Sequence, residues 1–438
     1  MGIKELDRLN NVKCSCGKIH HFPIKKILVG KGVISQLPEI LEHYNTKKIF
    51  VLSDLNTYKA AGEKVCSLLK IEGFHYTNYT LTQQQIEPNE ETVGSVIMHY
   101  DYTCDMILAV GSGVINDVGK ILSAVTKNPY IIVGTAPSMD GYASSSSSMT
   151  RDGLKISLPS RSADVIVGDT DILRNAPLKM LQAGLGDMLA KYVSICEWRI
   201  SHVITGEYYC EEIASLVRMA LKRCIENAQG LIKREDAAIE AVFEGLVIGG
   251  VAMTYVGLSR PASGVEHYLS HVWDMRGVEF GTKVELHGIQ CAVGTLIAVN
   301  IYEKIKKIIP DREKAISYAA AFDVEGWNRT LRDFLGKGAE SMIALEKKEQ
   351  KYNIEEHVKR LEVIIENWEQ ILDIISEELP EYTELEKLLD MIEAPKTMTE
   401  IGIDEGLLPI SFKATKDIRD KYVLSRLAWD LGILEEIV

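Results

Sequence analysis

Three histidines and one aspartate carry the residue types of a metal site. His267, His271 and His287 lie close together in a chain that has ten histidines in all, and Asp187 precedes them among glycines. Two imidazoles and one carboxylate form a three-ligand set for zinc or nickel that leaves positions for water or substrate. Because His267 and His271 share one face of a predicted helix, spacing alone favours that pair as ligands. A single helix histidine is more often a surface or core residue, so the cluster carries this prediction.

A glycine-containing turn predicts a phosphate site. A predicted buried strand runs directly into Gly111-Ser112-Gly113, and a helix follows. Glycines let the backbone approach a pyrophosphate, and the N-terminus of a helix offers N–H groups and a favourable dipole. Asn116 stands where the third glycine of a full G-x-G-x-x-G would fall, so the turn has the alternative of simply joining a strand to a helix.

Other polar residues follow the ends of neighbouring predicted strands. Thr135, Ser138 and Asp140 come after one strand, and Asp54 ends another. Ligands of parallel sheets bind beyond the carboxyl ends of the strands, so we expect these residues to face the same cleft. Asp54 could accept hydrogen bonds from an adenosine ribose, which favours NAD over NADP; its alternative is a helix N-cap. The run from Ser144 to Ser148 offers donors to a ligand or forms a solvated loop.

Apolar runs and helical spacing predict an α/β domain followed by a helical domain. Short strands alternate with helices in the first third, which is typical of an open parallel sheet. Helical periods dominate from Leu178 onward, and Pro177 suits the first turn of a helix. We therefore predict a Rossmann-like nucleotide-binding domain over residues 1–177 and an all-α domain over 178–438. The predicted strands span about residues 47–54, 76–81, 106–110, 130–133 and 164–168, and the helices about 58–71, 89–99 and 114–125.

Composition narrows the possible partners. The formal net charge of −13 opposes binding to nucleic acid or anionic lipid. The most apolar segment, residues 241–258, is interrupted by Glu244, which indicates a buried helix and no membrane span. The N-terminus lacks the apolar core of a signal peptide, so we expect a cytoplasmic protein.

Cysteine usage indicates one local cluster. The eight cysteines are scattered, so a disulfide framework is not expected. Only the segment from Cys14 to His21, with Cys16 and His20 between, has the residue types of a second metal site. It lacks a paired C-x-x-C, and a short structural turn is the favoured interpretation.

Six motifs in a fixed order resemble those of one known family, the bacterial branch of the sn-glycerol-1-phosphate dehydrogenases. This group belongs to the superfamily of glycerol dehydrogenase, iron-type alcohol dehydrogenase and dehydroquinate synthase. The resemblance covers about residues 25–300 strongly and the helical tail loosely. The motifs are Gly111-Ser112-Gly113-x-Ile115-Asn116-Asp117, Thr135-Ala136-Pro137-Ser138-Met139-Asp140-Gly141, Asp169-Thr170-Asp171, Gly184-x-Gly186-Asp187, Ser259-Arg260-Pro261-Ala262-Ser263-Gly264-x-Glu266-His267 and Leu286-His287-Gly288.

The resemblance implies a dehydroquinate synthase-like fold with catalysis between the two domains, and a homodimer. It implies that one divalent metal, zinc or nickel, is held by Asp187, His267 and His287. His271 then becomes a candidate for proton relay. Lys191 stands where iron-type alcohol dehydrogenases carry an additional histidine ligand. We expect NAD or NADP, with NAD favoured, to contact Asp54, Gly111, Ser112, Gly113, Asn116, Asp117, Thr135, Ser138 and Ser144.

The implied reaction is the reversible reduction of dihydroxyacetone phosphate to sn-glycerol 1-phosphate. Asp140 matches the family position that contacts substrate hydroxyls. A phosphorylated substrate requires a cationic subsite. Arg260 is the first candidate, and Lys155, Arg161 and Lys283 follow it. The alternative role of Arg260 is a salt bridge with Glu266 or another carboxylate. The competing functions are those of a glycerol dehydrogenase, a sugar-phosphate cyclase and a binding protein that has lost catalysis. Three residues depart from the family pattern near the site: Val265, Ile289 and Cys291.

Overall fold

The computed structural model describes residues 3–83, 86–151, 154–282 and 284–438 of the chain. These residues form two compact units. The first comprises residues 1–188 and 215–258, and the second comprises residues 189–214 and 259–438.

A six-stranded parallel sheet is the centre of the first unit. Its strand order is β1-β8-β5-β4-β2-β3, and all five pairings are parallel. Strands β4, β5 and β8 are buried along their whole length, as continuous apolar runs predict. A separate antiparallel hairpin joins β6 to β7. The strands are β1 (Lys26–Gly30), β2 (Lys48–Asp54), β3 (His75–Leu81), β4 (Met106–Gly111), β5 (Tyr130–Gly134), β6 (Ser146–Arg151), β7 (Leu154–Pro159) and β8 (Val165–Asp169).

Helices join successive strands of the sheet, and several close its core. Leu37, Leu41, Val65 and Leu69 pack with the strand residue Val51 in one buried apolar cluster. The helices that begin in this unit or cross it are α1 (Leu37–His43), α2 (Leu55–Thr57), a π-helical turn (Tyr58–Gly62), α3 (Glu63–Ile71), α4 (Glu90–His99), α5 (Gly113–Thr126), α6 (Thr170–Leu173), α7 (Leu178–Thr205), α8 (Glu211–Glu226), α9 (Gln229–Ile232) and α10 (Asp236–Val256).

Helix α10 is the most apolar helix of the described chain. Among the described residues, it is the one helix that is long and apolar enough to cross a membrane, yet 72% of its most apolar 18-residue stretch is buried inside the protein. Its Phe243 packs on the sheet, where a Cβ on Gly168 would lie 2.2 Å from the ring. Close packing against the strands therefore explains the apolar character of α10 as that of a core helix.

The second unit is helical throughout its described residues. Besides the parts of α7 and α8 that belong to it, it contains α11 (Val265–Phe280), α12 (His287–Ile305), α13 (Arg312–Ala320), α14 (Val324–Leu335), α15 (Gly338–Glu349), α16 (Ile354–Glu366), α17 (Trp368–Glu378), α18 (Tyr382–Met391), α19 (Leu408–Thr415) and α20 (Leu424–Asp430).

The predicted fold class is confirmed: a parallel α/β part is followed by a helical part. The compact units divide the chain within α7, after Met188, whereas the sequence suggested a boundary near Pro177. The change of periodicity at Pro177 marks the start of α7. The first turns of that helix stay with the sheet unit, because Gly184 packs on Pro137 so closely that a Cβ would lie 1.8 Å from its carbonyl oxygen.

Candidate functional site

The turn after β4 presents the N-terminus of a long helix. Gly111 ends β4 and Gly113 begins the 14-residue α5. The Ser112 side chain does not cap this helix; its Oγ lies 2.8 Å from the Ser138 Oγ instead. A Cβ on Gly111 would approach the Ile115 Cβ to 2.4 Å, so the glycine is required for packing. N–H groups at the first turn of α5 therefore fit the binding of an anionic pyrophosphate.

Asn116 is a buried link between α5 and the loop after β5. Its Nδ2 donates to the Gly141 carbonyl at 3.0 Å, and its Oδ1 accepts from the Tyr130 hydroxyl at 3.0 Å. The side chain is fully buried. Asn116 thus positions the loop that carries Ser138 and Asp140, and its amide is occupied by protein partners.

Lys120 is a functional candidate that the sequence did not identify. It is fully buried, and its Nζ donates to the Gly141 carbonyl at 3.0 Å and to the Ser144 Oγ at 3.2 Å. The same Nζ lies 3.0 Å from the Asp117 Oδ1. Burial raises the pKa of Asp117, although Lys120 acts in the opposite direction. Asp117 and Ser144, both predicted as cofactor contacts, therefore belong to an ionic network that fixes this loop.

Asp54 is the N-cap of α2. Its Oδ1 accepts from the N–H groups of Asn56 and Thr57, each at 2.8 Å. The N-cap alternative of the sequence is therefore observed, and both bonds use the same carboxylate oxygen. Thr135 lies just after β5, and its N–H donates to the Gly111 carbonyl at 3.0 Å, which ties the ends of β4 and β5 together.

Asp187 and Asp140 meet within the first unit. Asp187 is fully buried on α7, and its Oδ2 accepts the Asp140 N–H at 2.8 Å. The approach of α7 to this loop depends on Gly184, as described above. Glycine at 184 thus lets the helix bring the buried Asp187 carboxylate against a backbone N–H group of the loop.

The three predicted histidines come together within the second unit. His267 lies in the first turn of α11, and His287 begins α12. The rings of His267 and His287 have centroids 5.0 Å apart, and the His271 ring lies 5.8 Å from that of His287. The cluster that the sequence indicated is therefore present among the described residues of this unit.

Hydrogen bonds fix the tautomers of His267 and His287. The His267 Nδ1 lies 2.7 Å from the Glu266 Oε1, so the ring donates its Nδ1 proton to a carboxylate. The His287 Nδ1 lies 2.9 Å from the Ser270 Oγ, whose own proton is donated to the Gln290 Oε1 at 2.6 Å. Nε2 then carries the lone pair in both rings, and imidazoles supported in this way are typical metal ligands.

Cys291 adds a sulfur to this histidine pair. It is buried one turn after His287 on α12, and its Sγ lies 3.6 Å from the His287 Nε2. His267, His287 and Cys291 each offer one ligand atom within 4.8 Å of the other two. The sequence identified Cys291 only as a departure from the family pattern. The nitrogen donors, with or without the thiol, fit a divalent transition metal.

A second buried carboxylate supports the start of α11. Glu197 accepts the Val265 N–H at 3.0 Å and the Leu424 N–H at 2.8 Å. Burial, followed by the nearby Glu266 charge, raises the pKa of Glu197 to about 8. Glu197 therefore acts as a structural hydrogen-bonding group that accepts from two backbone N–H groups.

Arg260 is engaged by protein groups of the second unit. It is almost completely buried, and its Nε donates to the Glu207 Oε1 at 2.8 Å. Its other nitrogens donate to the Tyr422 carbonyl at 2.9 Å and to the Ser201 Oγ at 3.1 Å. This arrangement corresponds to the salt-bridge alternative for Arg260, and we do not carry Arg260 forward as a phosphate ligand.

The other predicted cations lie in different surroundings. Lys191 is buried, and its Nζ donates to the Ala262 carbonyl at 3.2 Å. Arg161 binds the Asp164 carboxylate at 2.9 Å. Lys155 lies on β7, and its charge acts on Asp117. Lys283 lies outside the described residues.

Comparisons with known proteins identify relatives of this chain. The family model described as iron-containing alcohol dehydrogenase matches residues 28–177. The chain is 27% identical over 416 residues to the glycerol-1-phosphate dehydrogenase (NAD(P)+) of Halalkalibacterium halodurans, covering 94% of each chain. It is 32% identical over 305 residues to that of Geobacillus thermodenitrificans, covering 68% of this chain and 76% of the relative.

Solved structures extend the likeness of fold. A probable glycerol dehydrogenase from Sinorhizobium meliloti superposes with a TM-score of 0.58 at 16% identity, covering 94% of this chain and 97% of that chain. At this identity the likeness concerns the fold alone. Together with the identity to the Geobacillus protein, these findings show that the chain belongs to the family of glycerol-1-phosphate dehydrogenases.

Proposed function

We propose that the chain catalyses the reversible reduction of dihydroxyacetone phosphate to sn-glycerol 1-phosphate, with NADH or NADPH as the hydride donor. Relatives that bear the name glycerol-1-phosphate dehydrogenase (NAD(P)+) support this activity. The structural observation that carries it is the pair His267 and His287, whose Nδ1 atoms are both engaged by acceptors so that Nε2 is prepared for a metal. A protein that kept the fold but did not bind a metal would not need both rings held in this tautomer.

The metal in this proposal is zinc or nickel, and its ligands are Asp187, His267 and His287. Two imidazoles and a carboxylate suit either ion, and the Cys291 thiol beside His287 adds a soft donor that suits zinc. When bound, the metal supplies Lewis-acid stabilisation of negative charge at the ketone oxygen, and the nicotinamide supplies the hydride.

The remaining side chains orient the reactants and move the proton. Glu266 and Ser270 hold the two histidine rings through their Nδ1 atoms. His271, whose ring is stacked near that of His287, is the proposed proton donor to the product hydroxyl. Asp140 is the proposed contact of the substrate hydroxyls. Lys191 acts as a positioning residue, since it donates to the backbone at Ala262 in the segment that precedes α11.

The cofactor in this proposal binds at the N-terminus of α5. The backbone from Gly111 to Gly113 would receive the pyrophosphate, and Ser138 lines the same turn through its contact with Ser112. Asp54 would bind the adenosine ribose through Oδ2, because Oδ1 already accepts both N-cap bonds. This arrangement favours NAD. For the substrate phosphate we propose Lys155 on β7.

Product analysis tests the reaction against the two rival enzyme activities. Enzyme, NADH and dihydroxyacetone phosphate should yield glycerol phosphate that an sn-glycerol-3-phosphate dehydrogenase does not oxidise, with no release of inorganic phosphate. Release of phosphate would indicate a cyclase. Equal turnover of unphosphorylated dihydroxyacetone would indicate a glycerol dehydrogenase. We further propose a cytoplasmic homodimer, which light scattering after size-exclusion chromatography tests directly.

A further inference from the structure

Residues 13–20 of the N-terminal segment form a tight loop around Cys14 and Cys16, which we call the knuckle. Lys13 and Ile19 pair as an antiparallel bridge. Between them the Gly17 N–H donates to the Cys14 carbonyl and the Cys14 N–H donates to the Lys18 carbonyl, each at 2.9 Å. Gly17 has a φ of +87°, a conformation that glycine adopts without strain. This turn places Cys14 and Cys16 on the same side of the segment as His20.

Three ligand atoms converge in this knuckle. The Cys14 Sγ, the Cys16 Sγ and a ring nitrogen of His20 lie within 4.8 Å of one another. The Cys16 Sγ is 3.4 Å from the His20 Nε2. A tetrahedral zinc with Zn–S of about 2.3 Å and Zn–N of about 2.05 Å separates its sulfur and nitrogen ligands by about 3.5 Å. The observed spacing therefore fits two ligands on one ion.

The tautomer of His20 suits coordination through Nε2. Its Nδ1 lies 3.3 Å from the Tyr255 carbonyl oxygen, which can only accept, so Nδ1 carries the proton. Nε2 then carries the lone pair that faces the Cys16 sulfur. The ring is 1% exposed and packs against the Tyr255 ring with centroids 5.5 Å apart. His21, its neighbour, is exposed and contacts Asn11, so it takes no part in the cluster.

The described part of this segment is rich in loops. Its isolated bridges replace a regular sheet, and its buried apolar side chains are few, chiefly Leu6, Phe22 and Ile24. Tyr255 on α10 anchors it through the His20 contact and through a hydroxyl bond to the Leu6 carbonyl at 2.7 Å. A metal ion is a common means of ordering a small, loop-rich segment with so small a core.

We propose that Cys14, Cys16 and His20 bind a structural zinc ion at a site separate from the Asp187, His267 and His287 set. A water molecule or one further side chain completes the four-coordinate geometry of zinc. The thiols bind as thiolates, and each releases its proton to solvent when the metal enters. All described cysteines are free of disulfide bonds, so both sulfurs are available in the required oxidation state.

Metal counting in an Asp187→Asn/His287→Ala background tests this site alone. That background removes two ligands of the other set and breaks the grouping of His267, His287 and Cys291, so the full-length chain purified with zinc should retain about one tightly bound ion. Adding Cys16→Ser should reduce the count to near zero. Adding Cys66→Ser, which removes a buried cysteine elsewhere in the same unit, should leave it unchanged. Retention of the ion by the Cys16→Ser protein would overturn the proposal, whatever the activity of the wild type.

A second measurement covers the case in which Cys16→Ser does not fold. Wild-type protein is treated with an alkylating reagent under native conditions, with and without prior chelation, and each cysteine is followed by mass spectrometry. We expect chelation to increase the labelling of Cys14 and Cys16 at least tenfold while Cys104 stays unlabelled. Equal labelling with and without the chelator, or a disulfide joining Cys14 to Cys16, would contradict a metal site.

Discussion

At the level of single residues, the hydrogen-bond partner at Nδ1 decides which ring nitrogen of each candidate histidine can bind a metal. Glu266 fixes His267, and Ser270 with Gln290 fixes His287. The sequence predicted the histidine cluster because the residue types are rare and closely spaced. The residue types alone did not show which of the nearby polar side chains, such as the adjacent Glu266, would engage each ring. The role of Asn116 was not predictable, because its hydrogen bonds to Gly141 and Tyr130 join positions that are distant along the chain.

The bond from His267 to Glu266 leads to a prediction about metal affinity. In Glu266→Gln the Nδ1 partner becomes neutral, which lowers the basicity of the ring, so we expect metal affinity to fall about 10- to 100-fold. Competition with a chromophoric chelator measures this without an activity assay. The control is Glu340→Gln, which neutralises an exposed carboxylate that pairs with Arg332. Equal affinities of Glu266→Gln and wild type would show that the contact does not support a ligand.

At the level of secondary structure, burial explains which elements the sequence predicted. The continuous apolar runs of β4, β5 and β8 gave nearly correct bounds. The hairpin strand β6 was not predicted, because its inward positions include Ser147, a small polar side chain that bonds the Asp117 carbonyl. The side chains of β6 alternate between buried and exposed, as in any half-buried strand. Because buried and exposed positions are both occupied by serine, the sequence shows no hydrophobic alternation.

The turn between β4 and α5 leads to a paired prediction. Gly111→Ala places a methyl group 2.4 Å from the Ile115 Cβ, so we expect the free energy of unfolding to fall by about 1–3 kcal/mol. Gly113→Ala meets only the Met139 side chain, at 3.7 Å and 4.0 Å, which are ordinary contacts, so this variant should keep its stability while binding NADH more weakly. Urea unfolding and fluorescence titration with NADH separate the two effects. Similar unfolding midpoints for the two variants would contradict this packing account.

A buried ionic network joins helices of the second unit. Asp417 accepts from the Lys416 Nζ at 2.8 Å, from the Trp327 Nε1 at 2.8 Å and from the Tyr352 hydroxyl at 2.6 Å. Burial acts to raise the pKa of Asp417, but Lys416, Arg426 and Lys351 outweigh it and lower the pKa to about 2. The network therefore stabilises the fold only while Asp417 is ionised.

The lowered pKa of Asp417 has a defined consequence for stability. Its contribution is complete above the unfolded-state value of about 4 and is lost as pH falls from there toward 2. We expect Asp417→Asn to lower the free energy of unfolding by about 3–5 kcal/mol at pH 7, with the difference from wild type shrinking across that acid range. Urea unfolding at several pH values measures this. Glu340→Gln, which breaks an exposed ion pair with Arg332, is the control, and a pH-independent difference for Asp417→Asn would refute the account.

At the level of the whole molecule, the chain combines a parallel-sheet unit with a helical unit, as its periodicities predicted. The sequence could not predict that residues 215–258 belong to the first unit, because the helical pattern of α10 is the same whichever unit the helix packs in. Its close packing on the sheet through Phe243 depends on glycines in β5 and β8 that single-strand patterns do not reveal. Membership of the family follows from the whole set of ordered motifs and the identity to known relatives.

The most direct test of the proposed function is NADH oxidation by chelated enzyme that is reconstituted separately with zinc and with nickel. We predict turnover with dihydroxyacetone phosphate that depends on added metal, little turnover with unphosphorylated dihydroxyacetone, and loss of turnover in Asp187→Asn at an unchanged circular dichroism spectrum. Full activity of the metal-free enzyme, or of Asp187→Asn, would contradict a metal-dependent reduction and the ligand set proposed for it.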